Sequence, residues 1–256
     1  MKILKSLKEV IGKNRNLREL YKKVKFVKDI PLADFFNFQK LLLVKKVYSY
    51  TMVSYQRLSN VYVLAELAEK NKIDGAFVEC GVWKGGCSAV MAFVAEKAKS
   101  NRKVWLFDSF EGLPEPTKED GNMAKDYANN KAGGKLKTIN ECVSSLEDVK
   151  EVFFKILKIN PQNIVIKKGW FQNTLPVAKN EIGPISILRL DGDWYDSTKC
   201  CLDNLYDNVI ISGYIIIDDY GHWEGTRRAL DEFLKERKIK INLIKVDYTG
   251  VYFKKP

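Results

Sequence analysis

From Ile73 onward, short apolar runs alternate with longer stretches whose apolar positions recur every three or four residues. The runs 76–80, 104–107, 164–166, 185–190 and 214–217 are strand-length and bounded by turn residues, which predicts β-strands. Between them, residues 88–99, 146–157, 198–208 and 226–237 carry helical spacing. Strand and helix in alternation predict an α/β fold, a parallel sheet covered by helices on both faces. The tail breaks the rhythm. Residues 239–246, a turn at Tyr248-Thr249-Gly250, and residues 251–254 predict an antiparallel hairpin closing the sheet edge. Upstream, residues 34–72 predict two helices, one of them turning Leu58, Val61, Leu64 and Leu67 toward the core. Residues 111–137 have little periodicity and many breakers; a loop this long is expected to serve as a lid or a substrate contact.

Composition changes this picture little. Hydrophobic residues at 46% and charged residues at 29% describe an ordinary globular chain. No run approaches the 18 apolar residues of a membrane span, and the first residues carry charge too often for the core of a secretory signal. The five cysteines, with no CxxC and one adjacent pair, suit free thiols in a reducing compartment, so a cytoplasmic location is expected. Net charge is +11, but ten basic against three acidic residues fall within positions 1–30. The basic excess thus belongs to an N-terminal extension, residues 1–48, which is expected to be helical. Its lysines suit a solvated face or a weak contact with an anionic surface.

Candidate chemistry lies at the carboxyl ends of the strands, where open α/β sheets bind ligands. The first ends in VECGVWKGGCS, making Glu79, Gly81, Val82, Gly85 and Ser88 candidate cofactor contacts. The second ends in LFDSFEGLP, where Asp108, 23 residues after Gly85, is placed to accept hydrogen bonds from ribose hydroxyls, with Ser109 beside it. The glycine spacing is Gly-x-x-x-Gly-Gly, not the G-x-G-x-x-G that seats a pyrophosphate. With Glu79 before it, the turn suits a nucleoside bearing a cationic group, such as S-adenosylmethionine, and disfavours a dehydrogenase.

The fourth and fifth strands end in LDGDWYDS and IIIDDYGHW. Adjacent acids after an apolar run repel one another unless a cation or water compensates them. Asp191 with Asp218 and Asp219, from neighbouring strands, predicts an oxygen-only site for Mg²⁺ or Mn²⁺. The competing reading is a set of exposed loop acids or helix caps. His222, the single histidine, and Asp193 are candidate bases toward a hydroxyl held beside Asp191. Trp170, Trp194 and Trp223 fall at the same strand ends and suit a wall for adenine or a sugar ring.

Together VECGVWKGG, LFDSFEGLP, LRLDGDWYDST and IIIDDYGHWEGTRRALDEF resemble the macrocin O-methyltransferase family, S-adenosylmethionine-dependent enzymes that methylate sugar hydroxyls of macrolides. The resemblance runs from Tyr50, in YTMVSYQRL, to Leu234. It implies a Rossmann-like methyltransferase fold with a mostly parallel seven-stranded sheet over residues 49–256. It also implies that Asp191, Asp218 and Asp219 hold Mg²⁺ and that Glu79, Gly81 and Asp108 contact the cofactor. Thr51 and Met52 match a segment that closes over it. Catechol-type methyltransferases place a lysine base three positions after the first aspartate; here that residue is Trp194. The expected partner is a small sugar-containing acceptor, not DNA, and a homo-oligomer is expected. Two rivals stand beside this reading. The basic N-terminus favours a nucleic-acid methyltransferase, against which LDGDW replaces the Asn-Pro-Pro-Tyr type of run and the acids repel phosphate. A non-catalytic carbohydrate- or nucleotide-sugar-binding protein is the other.

Overall fold

The computed structural model describes residues 30–256. The expectation for the basic segment before residue 30 lies outside the described residues. A short 3-10 turn at Leu32–Phe36 leads into helix α1, Phe38–Val47, and then α2, Tyr55–Lys70. Five parallel strands follow: β1 Ala76–Cys80, β2 Val104–Asp108, β3 Ile164–Lys168, β4 Ile185–Leu190 and β5 Val209–Ile217. The connecting helices are α3 (Gly86–Ala98), α4 (Gly121–Tyr127), α5 (Leu146–Lys150, continuing as a π-turn through Ile156), α6 (Phe171–Ile182), α7 (Tyr195–Leu205) and α8 (Glu224–Glu236). Strands β6, Ile244–Lys245, and β7, Val251–Lys254, complete a seven-stranded sheet of order β3-β2-β1-β4-β5-β7-β6. Strand β7 runs antiparallel to both of its neighbours. The mostly parallel sheet and reversed tail match the expected fold.

Alternation along each strand divides the core. Phe77, Leu106, Ile187 and Ile216 face one layer, built by α1, α2, α3 and α5. Val78, Phe107, Leu188 and Ile217 face the other, under α6, α7 and α8. Of the α2 set, Leu58, Val61 and Leu64 are buried and Leu67 packs at the rim of that cluster.

Register positions the site. Cys80 pairs with Leu190 and Leu190 with Ile217, so β1, β4 and β5 end level. Backbone bonds continue past them, from Asp191 N–H to Cys80 C=O and from Asp218 N–H to Leu190 C=O, both at 2.9 Å. The acids after β4 and β5 therefore emerge side by side.

Three elements depart from the sequence expectation. Helix α6 escaped it because Pro176 interrupts the pattern, although Leu175, Ala178 and Ile182 are buried at helical spacing. Strand β5 begins at Val209, ahead of a Ser212-Gly213 irregularity with Ser212 at φ 68°. Residues 111–137 are an ordered wall, with helix α4 inside it and a bridge from Pro114 to Thr138. A third apolar cluster anchors this wall: Leu113, Ala124, Ala128 and Ile139 pack with Trp194 and Trp223.

Candidate active site

A cavity of about 290 Å³ opens at the carboxyl ends of β1, β2, β4 and β5. Its first wall is the turn after β1. Gly81, at φ 88°, closes against the backbone carbonyl of Asp191 with no room for a Cβ, so this position requires glycine. The N–H groups of Val82 and Trp83 then donate to Asp108 Oδ2 at 2.8 and 2.9 Å, and Phe110 N–H donates to Oδ1 at 2.7 Å. Burial pushes the Asp108 carboxyl up, against the pull of these three donors. Asp108 thus fixes the turn while lining the cavity beside Ser109. Glu79 is buried, accepting from Ser88 Oγ and, at 2.5 Å, from Arg189 Nη1. Burial raises it to about 7 despite that pairing.

Thr51 and Met52 form the wall contributed by the segment before α2, and Trp170 lies at the start of α6. Gly85 and Ser88, expected among the cofactor contacts, lie behind the residues that line the cavity. Gly85 starts α3 where a Cβ would press on Phe153, at 3.2 Å, and Ser88 orients Glu79 from behind.

The floor is acidic. Asp191, Asp193 and Asp219 each place a carboxylate oxygen within 4.8 Å of the others. Asp219 Oδ2 is buried with no hydrogen-bond partner. Burial, then repulsion from Asp193 and Asp191, holds Asp219 well above the usual carboxylate range. Burial and Asp191 together push Asp193 up to about 8. Such a cluster of hard oxygen donors, one of them orphaned, fits a divalent cation. Of the three acids expected from the sequence, Asp191 and Asp219 fall in this cluster. Asp218 also lines the cavity, with its oxygens held by Arg189 Nη2 and Arg57 Nη1, while Asp193 stands within reach of Asp191 and Asp219. Trp223 Nε1 donates to Asp193 Oδ1 at 2.8 Å, fixing that carboxylate. His222 is exposed at the rim, its ring 4.5 Å from that of Trp223. Trp194 is not a wall residue; it is buried behind Trp223 and donates to Pro114 C=O at 2.9 Å.

The two arginines are what sequence reasoning missed. Arg189 sits in a central parallel strand, 1% exposed, and bridges Glu79, Asp191 and Asp218. A charge there must be paired, so an arginine inside ISILRL was the available signal. Arg57 had none, because its partners come from β5 and from the turn before β7. Tyr127, Cys142 and Tyr248 also line the cavity.

Fold and site define the class. The seven-stranded order with a reversed β7, the acid closing β2 over the turn after β1, and the ligand cavity at these strand ends are those of a Rossmann-like methyltransferase. The chain belongs to the macrocin O-methyltransferase (TylF) family, whose sequence profile matches residues 45–255. It is therefore an S-adenosylmethionine-dependent O-methyltransferase, and the nucleic-acid and non-catalytic readings give way. It is 34% identical to demethyldecarbamoylnovobiocin O-methyltransferase of Streptomyces niveus over 81% of this chain and 76% of that protein. It is 32% identical to 8-demethyl-8-(2,3-dimethoxy-alpha-L-rhamnosyl)-tetracenomycin-C 4'-O-methyltransferase of Streptomyces olivaceus, over 80% and 76%. Among solved structures it resembles the O-methyltransferase NovP with a TM-score of 0.69 and 34% identity, covering 80% of this chain and 82% of that one. Among the described residues, no helix is long and apolar enough to cross a membrane.

Proposed function

We propose that this enzyme methylates a hydroxyl group of a sugar-containing small molecule, with a divalent cation held by Asp191, Asp193 and Asp219. The observation that carries the reading is the orphaned Asp219 oxygen among three converging carboxylates, in the same cavity as Asp108 and Glu79. The name of one relative, which acts on a rhamnosyl-bearing tetracenomycin, supports the acceptor class. S-adenosylmethionine supplies a methyl group on a positively charged sulfur. A divalent cation held there would supply Lewis acidity toward the acceptor hydroxyl, and a modest base would then suffice.

The chain's own residues do the rest. Asp108 accepts hydrogen bonds from ribose hydroxyls with the lone pairs left over from its turn contacts. Glu79 stands where its charge favours a cationic ligand, and Val82 and Trp170 supply apolar surface. Trp223 fixes Asp193 through its indole N–H, so the acid floor does not reorganise as the acceptor enters. His222, on the rim beside Trp223, takes the proton of the acceptor hydroxyl and passes it to solvent. Positioning of the hydroxyl opposite the sulfur accounts for much of the remaining rate.

Calorimetry with S-adenosylhomocysteine tests the cofactor half. Asp108→Ala is expected to weaken binding by about 10- to 150-fold, since a hydrogen bond to a charged group contributes roughly 1.5–3 kcal/mol. No binding to the wild type would remove the reading altogether. Transfer of labelled methyl to a panel of glycosides tests the other half. His222→Ala is expected to lower kcat by about 10²- to 10⁴-fold with S-adenosylhomocysteine affinity unchanged. Full activity in that variant would take the base role from His222.

A further inference from the structure

Arg57 joins two sides of the cavity that belong to different parts of the chain. On one side lies the segment Thr51-Met52-Val53, which lines the cavity and runs directly into α2. Its end is pinned by Ser54, whose Oγ accepts from Arg57 N–H at 3.2 Å and donates to Asp247 Oδ2 at 2.7 Å. On the other side lies Asp218, next in sequence to the orphaned Asp219. Arg57 reaches both anchors at once. Its Nη1 donates to Asp218 Oδ2, and its Nε lies 3.2 Å from Asp247 Oδ2, an ion pair without hydrogen-bond alignment.

The receiving end is rigid. Asp247 accepts from the N–H groups of Thr249 and Gly250 at 3.0 and 2.8 Å. Thr249 Oγ1 donates to the Asp218 carbonyl at 2.8 Å. The arginine stem crosses Gly250 so closely that a Cβ there would stand 2.9 Å from Arg57 Cδ. Beyond Asp218, Arg189 carries the connection on to Asp191 and Glu79. An unbroken series of ion pairs and hydrogen bonds thus runs from the acid floor to the start of α2.

Charge gives this series a direction. Arg57 is drawn to Asp218 first, then to Asp191, Asp247 and Asp219, and these acids outweigh the burial that opposes its charge. Arg57 touches Asp218 and Asp247, while the uncompensated charges of Asp191 and Asp219 pull on it from further off. Once a cation satisfies Asp191, Asp193 and Asp219, only Asp218 and Asp247 compete for it. Those two contacts are the ones that hold Ser54 and the segment before it. A lysine cannot reproduce them, because a point charge does not span two carboxylates in fixed geometry as a planar guanidinium does.

We propose that Arg57 is a positioning residue that couples the filling of the acid floor by a divalent cation to the binding of the methyl donor. It does so by fixing residues 51–54 against Asp218 and Asp247. The proposal rests on the cation and cofactor reading above. Because coupling between two ligands is reciprocal, each ligand tightens the other by the same factor, about 5- to 150-fold in systems of this kind.

The test is calorimetric titration with S-adenosylhomocysteine in EDTA and in saturating MgCl₂. This ligand lacks the sulfonium charge, so direct repulsion from the cation does not enter the ratio. In the wild type, Mg²⁺ is expected to tighten binding fivefold or more. In Arg57→Met, which keeps the stem and removes the charge, the ratio is expected to fall to within twofold of unity while both ligands still bind. Arg57→Lys is expected to restore only part of it. A residue that merely supported the fold would weaken binding equally in both buffers and leave the ratio unchanged. Asp247→Asn cuts the same link from the far side and decides the matter if Arg57→Met does not fold. A wild-type ratio of one, or a full ratio in Arg57→Met or Asp247→Asn, overturns the coupling. Loss of the whole functional reading looks different: the wild type would then bind neither S-adenosylhomocysteine nor Mg²⁺.

Discussion

Asp219→Asn is expected to make the metal-free protein more stable and the enzyme inactive. In the wild type the Asp219 carboxylate is buried beside Asp193 and Asp191, and one of its oxygens has no partner. Its raised pKa states that the charged form is unfavourable there. An amide of the same shape removes the repulsion and offers an N–H donor to the neighbouring carboxylates. A gain on the order of 1 kcal/mol corresponds to roughly 2–4 °C in Tm for a chain of this size. The same change removes a hard oxygen donor and one negative charge from the floor. Methyl transfer is then expected to fall by at least about 10³-fold, since metal activation of an acceptor oxygen contributes several kcal/mol and each 1.36 kcal/mol is tenfold in rate. Calorimetric scans with EDTA and with Mg²⁺ check the first half, and transfer of labelled methyl checks the second. Mg²⁺ should raise the Tm of the wild type and not of the variant. An Asp219→Asn enzyme with wild-type turnover would remove the cation from the mechanism.

Arg189→Met has the larger effect on stability. The guanidinium compensates Glu79, Asp191 and Asp218 from a position with almost no solvent. Removing one partner of a buried ion pair costs about 3–5 kcal/mol, and here three carboxylates lose theirs. The loss is expected to depend on pH with a definite sign. Glu79 at about 7 and Asp218 at about 6 already lie above their ordinary values, mainly through burial, and without Arg189 they rise further. The folded variant therefore holds more protons than the unfolded chain above the ordinary carboxylate range. Its stability falls as pH rises through and beyond 6–7, and recovers in part toward pH 5. Urea denaturation at pH 5.5 and 8 measures this; a gap from wild type that is equal or wider at pH 5.5 contradicts the assignment.

Strand composition made most of the fold legible. AFVEC, VWLFD and ISILRL are apolar because parallel strands are covered on both faces, and the acids and glycines that follow them mark the ligand edge. What escaped has physical causes. Pro176 hid α6 by removing a helical donor in mid-pattern, while burial of Leu175, Ala178 and Ile182 kept the helix. The acids of the floor were visible as residues but not in their division of labour. Asp191, Asp193, Asp218 and Asp219 look alike in sequence; which one pairs with arginine depends on where Arg57 and Arg189 reach. Asp193 joins the floor because its backbone takes φ 60° and Trp223 holds its side chain, neither of which a pattern of apolar residues records.

The wall formed by residues 111–137 has a property that bears on how acceptor choice changes between related enzymes. Its two ends meet: Leu113 N–H bonds Glu141 C=O, and Ile139 N–H bonds Leu113 C=O, both at 2.9 Å. Between these bonds it lends the cavity Leu113, Pro114 and Tyr127, and it rests on Trp194 and Trp223, which follow β4 and β5 at the starts of α7 and α8. A segment that leaves and rejoins the body at one point behaves as a cassette. Its interior can be lengthened, shortened or exchanged while Asp191, Asp193 and Asp219 stay where the strand ends put them, so new acceptors can be recruited without rebuilding the chemistry beneath them.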